Sequence, residues 1–234
     1  MMNSLPQQQL TLPVTLRDDA TLDNFLPVPG SEALLHALEQ QLEATGEAII
    51  YLYGEAGSGK SHLLQACCHR AGSGALYLPL ADLADYSPEE VLAGVAGMRL
   101  VCLDDLHAVA GNAAWEFALF ELYNRARETG ARLLVAADSA PRVIALNLED
   151  LRSRLSWGVV YRLASCDDEQ KKAVLQYRAR RRGLTLPDEV AHYLVSRAPR
   201  GLDPLLDLLD RLDQASLEQK RALSIPFVKQ TLNW

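Results

Sequence analysis

Residues Gly54-Glu55-Ala56-Gly57-Ser58-Gly59-Lys60-Ser61 fit the pattern G-x-x-x-x-G-K-S/T. Glycines at this spacing let successive backbone N–H groups turn inward around phosphate oxygens, and the positive end of a following helix adds to the attraction. Lys60 is placed to reach the terminal phosphates of ADP or ATP, and the Ser61 hydroxyl to ligate Mg²⁺. His62 follows directly and is grouped with the nucleotide-contacting residues, although a helix-face position argues against a catalytic role. An apolar run, Ala48–Tyr53, precedes the pattern and helical spacing follows it. That strand–loop–helix context is what the motif requires.

A second apolar run, Leu100-Val101-Cys102-Leu103, ends in Asp104-Asp105. This is the Walker B arrangement, in which the first acid, Asp104, helps hold Mg²⁺ through its water shell. Asp105 stands where such ATPases often carry a Glu that orients the attacking water, and Asp is one methylene shorter. A third strand-like run ends at Asp138, followed by Ser139 and Pro141. Asp138 either senses the γ-phosphate or only forms the turn, and the motif alone leaves both open.

These residues need a frame. Apolar runs at 48–53, 75–80, 100–103, 132–137 and 159–163 read as strands. Between them, helical spacing predicts helices over 31–44, 61–70, 88–97 and 113–129. The last has Trp115, Ala118, Leu119, Leu122 and Ala126 on one face. Strands alternating with helices imply an α/β fold with a parallel five-stranded sheet covered on both faces. After Ala164 only helices follow, at 167–182, 187–198, 204–217 and 226–232, with an apolar stripe of Leu205, Leu208, Leu209 and Leu212. The expected organisation is a flexible segment over 1–20, an α/β nucleotide-binding domain over 21–164 and a small helical lid over 165–234.

The net charge of −7 excludes a chain that binds nucleic acid by its overall field. The charge divides unevenly. Residues 165–234 hold 12 Lys and Arg against 10 Asp and Glu, and the remainder carries −9. The run Lys171, Lys172, Arg178, Arg180, Arg181, Arg182 is basic, read as a solvated helix face or a contact for a partner. The 4 cysteines show no metal-ligand spacing, which suits reduced thiols. Met1–Thr11 lacks the basic start and apolar run of a signal peptide, so a cytoplasmic location is expected. No apolar stretch is long enough to span a bilayer, and no membrane partner is expected.

Several segments together resemble the AAA+ module of the bacterial replication initiator DnaA. Thr21-Leu22-Asp23-Asn24-Phe25 is similar to its T-F-D-N-F opening, and Asp138-Ser139-Ala140-Pro141 to its sensor 1 stretch. Leu151-Arg152-Ser153-Arg154-Leu155-Ser156-Trp157-Gly158 resembles its L-K-S-R-F-G-W-G box, and carries the arginine-finger position to Arg154. At the front, Gln9-Leu10-Thr11-Leu12-Pro13 resembles the Q-L-x-L-P peptide that docks on the DNA-polymerase sliding clamp. Such a peptide lies extended in an apolar groove, with Leu10 and Leu12 filling pockets. The chain stops after the lid, where DnaA continues into a DNA-binding domain.

A DnaA-like module, a clamp peptide and no DNA-binding domain resemble the DnaA-related regulatory inactivators. The resemblance implies binding to the sliding clamp, contact with DnaA, and promotion of hydrolysis of DnaA-bound ATP, with DNA contacted only indirectly. It also allows self-association. Lining up the lid helices puts Asp203 or Pro204 where AAA+ lids carry a sensor 2 Arg, and Arg200 is out of register. Weak hydrolysis by the protein itself is therefore expected, with the bound nucleotide holding the lid in one orientation. An independent AAA+ ATPase such as a helicase loader is the alternative. A small-molecule P-loop kinase would leave the box around Arg154 unexplained.

Overall fold

The structure, a computed structural model, describes residues 15–95, 97–199 and 201–234. The order is α1 (Glu32–Gln40), β1 (Ile49–Tyr53), α2 (Lys60–Ala71), β2 (Ala75–Pro79), α3 (Leu80–Leu83), α4 (Pro88–Leu92), β3 (Leu100–Asp104), α5 (Ala113–Thr129), β4 (Arg132–Ala137), α6 (Glu149–Leu155) and β5 (Val159–Arg162). Four helices follow: α7 (Asp168–Arg181), α8 (Asp188–Arg197), α9 (Asp203–Gln219) and α10 (Ile225–Leu232).

The five strands form one parallel sheet in the order β2-β3-β4-β1-β5. Its central strands are apolar apart from Arg132, which opens β4, and Asp104, which ends β3, because both faces are covered. Alternate residues of β1 divide between two cores: Ile49 and Tyr51 pack with α3–α6, while Ile50 and Leu52 pack with α1 and α2. The edge strand β5 is only partly buried. A third core belongs to α7–α10, where Leu175, Val190, Leu194, Leu209 and Phe227 are all buried. Of the stripe expected on α9, Leu205, Leu209 and Leu212 are buried and Leu208 is partly so, with Leu206 joining them. Asp167 and Gln170 form a capping box that starts α7.

Four elements differ from the sequence reading, the first being the unassigned helix α3, which opens at Leu80, inside the strand expected over 75–80. The helix expected over 31–44 stops at Gln40. The Gln41 amide turns inward to donate to the Leu133 carbonyl at 2.9 Å, and Arg132 donates to the carbonyls of Glu43 and Ala44. Tertiary bonds to β4 thus replace the last helical turn. The helix expected over 88–97 is α up to Leu92, then 3₁₀ over Ala93–Val95. The segment carrying Arg154, not assigned an element from the sequence, is the helix α6.

The Trp157-Gly158 pair has a packing reason at its second residue. A Cβ on Gly158 would stand 2.7 Å from the Ile49 carbonyl oxygen and 2.8 Å from its Cγ2, so only glycine lets the chain enter β5 beside β1. Gly158→Ala is expected to destabilise the fold by about 1–3 kcal/mol, as overpacking does. Gly94→Ala, with open space around it, should change stability by less than about 1 kcal/mol. Urea unfolding of the two variants beside the parent checks both.

Candidate functional site

The loop between β1 and α2 turns on three glycines with positive φ: Gly54 (158°), Gly57 (73°) and Gly59 (95°). A Cβ on Gly54 would lie 2.2 Å from the Leu163 carbonyl oxygen, one on Gly57 3.0 Å from the Leu202 amide nitrogen, and one on Gly59 3.1 Å from the Phe25 ring. The loop is therefore gripped from three sides, by the exit of β5, by the lid and by the segment before α1. Lys60 opens α2 and is buried. Its ammonium donates to the carbonyls of Gly54 at 2.7 Å and Glu55 at 2.9 Å. Burial lowers the Lys60 pKa, while Asp104, Asp105, Asp138 and Asp203 pull it back up.

Asp104 ends β3 and is 1 % exposed. Its two oxygens accept from the Tyr77 hydroxyl at 2.7 Å and from the Asp105 amide at 3.0 Å. Burial, followed by the charge of Asp104, pushes the Tyr77 phenol far up, so it stays a donor. Asp105 adopts the left-handed conformation (φ 52°, ψ 45°), and burial together with Asp104 raises its carboxyl pKa. Asp138 lies exposed at the end of β4 and accepts from the Ser139 hydroxyl at 2.8 Å.

Lys60 and Asp105 face a cavity of about 330 Å³, lined also by Gly57 and Ser58 from the α/β side and by Asp203 and Leu206 from α9, whereas Asp104 and Asp138 do not line it. Phe25, Val28 and Leu163 add an apolar wall. The glycine cradle suits phosphate oxygens, since side chains there would fill the approach. Ser61 and Asp104 offer hard oxygen donors of the kind Mg²⁺ takes. Among the described residues no cluster of three or more His, Cys, Asp or Glu could hold an ion by itself. A divalent cation here would need phosphate oxygens to complete its shell.

A strap over residues 17–25 lines part of this cavity through Arg17, Ala20, Asn24 and Phe25. Residues 17–20, read from the sequence as part of a flexible segment, are fastened on both sides. Toward α2, the Arg17 amide donates to Gln65, the His69 ring meets the Arg17 carbonyl and the His62 ring meets the Thr21 carbonyl, each at 2.9 Å. Toward the lid, the buried Arg178 guanidinium pairs with the Asp19 carboxylate and donates to the carbonyls of Asp19 and Asn24. Arg182 also reaches Asp19, and Tyr177 donates to the Asp23 carbonyl. Burial alone would raise the Asp19 pKa, but Arg178, Arg17 and Arg182 together bring it below its usual value. His62, expected beside the nucleotide, lines the cavity and also holds this strap, with its ring 6.0 Å from that of Phe25. The strap supplies direct contacts between lid and α2, beyond any that a nucleotide adds.

Arg154 lies elsewhere, on α6. Its guanidinium carbon sits 4.9 Å from the Phe120 ring centre, 5.4 Å from that of Tyr123 and 5.7 Å from that of Trp157. Its neighbour Arg152 pairs with Glu149 at 3.2 Å. Among the described residues Arg154 makes no ion pair. Trp157, beside it, is 65 % exposed.

The basic run is mostly neutralised. Lys171 pairs with Asp168, Lys172 with Glu169 and Asp188, Arg181 with Asp23, and Arg182 with Asp210 as well as Asp19. The clamp-like peptide Gln9–Pro13 lies outside the described residues, as does Arg200. Asp203 begins α9 and faces the cavity. The sequence reading missed Tyr77, Asp19 and Arg178. None carries a local motif, and each acquires its place only through a partner distant in the chain.

A P-loop at the end of the strand next to the edge, acids at the ends of the next two strands inward, β4 and β3, and a helical lid over the loop define an AAA+ protein. Residues 168–232 match the family model described as Hda, lid domain, and residues 85–162 match the bacterial DnaA ATPase domain. Domain III of DnaA from Thermotoga maritima superposes with a TM-score of 0.77 at 22% identity, over 94% of this chain and 98% of that one. AMPPCP-bound DnaA from Aquifex aeolicus gives 0.70 at 22% identity, over 87% of this chain and 68% of that one. A RuvB A156S mutant from Thermotoga maritima gives 0.68 at 18% identity, over 92% and 71%. The chain is an Hda-like, DnaA-related AAA+ protein.

Burial lowers the His62 pKa to about 4, outweighing the Thr21 carbonyl that favours its charged form. An unfolded His titrates near 6.5, so on acidification the unfolded chain takes up the proton first. The contribution is complete above pH ~6.5 and fades as the pH falls toward ~4. Between pH 7 and pH 5 it removes about 2 kcal/mol. Denaturant unfolding of His62→Gln at both pH values should show a pH dependence smaller by that amount than in the parent.

Proposed function

We propose that this protein activates ATP hydrolysis on the replication initiator DnaA and so prevents a second round of initiation. In this reading its own P-loop, Gly54–Ser61, holds ADP or ATP. Lys60 meets the terminal phosphates, and Ser61 and Asp104 hold Mg²⁺, which supplies charge neutralisation at the phosphates. Asp138 faces the same phosphates. The N-terminal peptide Gln9–Pro13 docks on the sliding clamp and concentrates the protein on replicated DNA, in the cytoplasm at the replisome.

The observation that carries the reading is the state of Arg154. It is a cation with no carboxylate partner among the described residues, held on aromatic rings beside an exposed Trp157. A guanidinium so placed is ready to meet an anion on another molecule. Against the γ-phosphate of ATP bound to DnaA, it would stabilise the charge that develops in the transition state. Arginine fingers accelerate such reactions by about 10³ to 10⁵, equivalent to roughly 4–7 kcal/mol of barrier. Support also comes from Asp203, which puts a negative charge where the resemblance expects a sensor 2 cation, against efficient hydrolysis by this protein itself. The second reading, an independent ATPase such as a helicase loader, is favoured by the intact Lys60, Asp104 and Asp105.

The test is hydrolysis by ATP-loaded DnaA in the presence of clamp on DNA. The parent protein should stimulate it, and Arg154→Ala should lower the stimulated rate by about 10³ or more. Steady turnover by this protein alone, with no effect on DnaA, would instead establish the independent ATPase. In the same assay, replacing Leu10 and Leu12 by Ala should raise the concentration needed for half-maximal stimulation about tenfold or more, a loss of roughly 1.4 kcal/mol or more of docking energy. The maximal rate should be unchanged.

A further inference from the structure

Glu116 is a carboxylate with 1 % exposure in the first turns of α5. Burying a charge there is costly unless hydrogen bonds compensate. Three backbone N–H groups do so. One oxygen accepts from Gly111 at 2.7 Å and Asn147 at 3.0 Å, and the other from Leu148 at 2.7 Å. Asn147 closes the knot by donating its side-chain amide to the Gly111 carbonyl at 3.4 Å.

Of the two segments tied together here, one begins at the phosphate cavity and the other at the end of the adjacent strand β4. One leaves β3 at Asp104-Asp105, passes through the 3₁₀ turn Leu106–Val109, and reaches Gly111. The other leaves β4 at Asp138, turns at Ala140, where its carbonyl accepts from Val143 and Ile144, and reaches Asn147 and Leu148. Leu106, Val109, Ile144 and Leu146 are buried along the way, so neither segment is slack. Leu148 is the residue on which α6 begins, and α6 carries Arg154.

We propose that Glu116 is the positioning residue that couples the phosphate site of this protein to its arginine finger. It fixes the start of α6 against the segment that leaves Asp105, so a shift at Asp105 or Asp138 on nucleotide binding is passed to Arg154. The proposal rests on the finger role argued above. Its chemistry requires a carboxylate. A glutamine would turn an NH₂ group toward one of the N–H donors, leaving two donors facing each other and loosening the start of α6.

The test is stimulated hydrolysis on DnaA, measured against the concentration of this protein. Glu116→Gln should lower the maximal rate by about tenfold to a hundredfold, the scale of a displacement near 1 Å. The concentration for half-maximal stimulation and the protein's own ADP affinity should stay within about twofold. Adding Arg154→Ala to Glu116→Gln should cost less than Arg154→Ala costs in the parent, because a finger already misplaced has less to lose. If Glu116→Gln keeps the full maximal rate, or its loss simply adds to that of Arg154→Ala, the proposal is overturned. If Arg154→Ala has no effect in the parent, it is the finger reading that falls. Should Glu116→Gln fail to unfold cooperatively, Glu116→Asp takes its place. It keeps the charge but is one methylene too short to hold the amides of Asn147 and Leu148 as Glu116 does, and a maximal rate equal to the parent's would overturn the coupling.

Discussion

Parallel pairing with aligned registers is the constraint on which the rest of this molecule depends. Tyr53 stands opposite Ala137, Leu103 opposite Val135 and Pro79 opposite Asp104, so the strands end along one edge of the sheet. In a parallel sheet every strand arrives at the same edge with its loop still to come. Gly54, Asp105, Asp138 and Leu163 are all delivered there by that geometry. A binding edge of this kind needs no contact between the loops in sequence. It needs only that the strands be buried on both faces and that their registers hold.

Buried charge then adds joints of its own to those of the sheet. Asp104 is held by Tyr77 from the neighbouring strand, Glu116 by the amides of two loops, and Arg178 by the strap before α1. Removing one partner of such a group leaves a desolvated charge behind, which costs far more than the net value of the intact contact. These joints therefore specify geometry more than they add stability. They lie behind the phosphate cradle, at the start of α6, and between lid and P-loop helix.

The contrast between Arg152 and Arg154 shows how such placement decides which charge is left without an acid beside it. Both are cations on α6, two residues apart, and charge alone does not separate them. Arg152 is paired with Glu149, whereas Arg154 turns to the rings of α5 and Trp157. An aromatic face holds a guanidinium in place without neutralising it, which leaves its charge available to a partner. The basic run of α7 makes the opposite case. Its charge is conspicuous in the sequence, yet most of it meets acids on the strap, on α7 itself and on neighbouring lid helices.

The sequence by itself determined the P-loop, the acid pair after β3, the five strands and the four lid helices. These depend on residues close together in the chain: glycines that must take positive φ, apolar runs, helical stripes and a capping box. It could not show that α1 would end early, because the bonds that end it come from Arg132 and Leu133. Nor could it show that His62 serves the strap, that Glu116 ties two loops, or that Asp19 holds the lid. Only the tertiary structure decided these. Each is a polar side chain whose partner lies far along the chain, and no local pattern records which distant amide or guanidinium folding will bring to it.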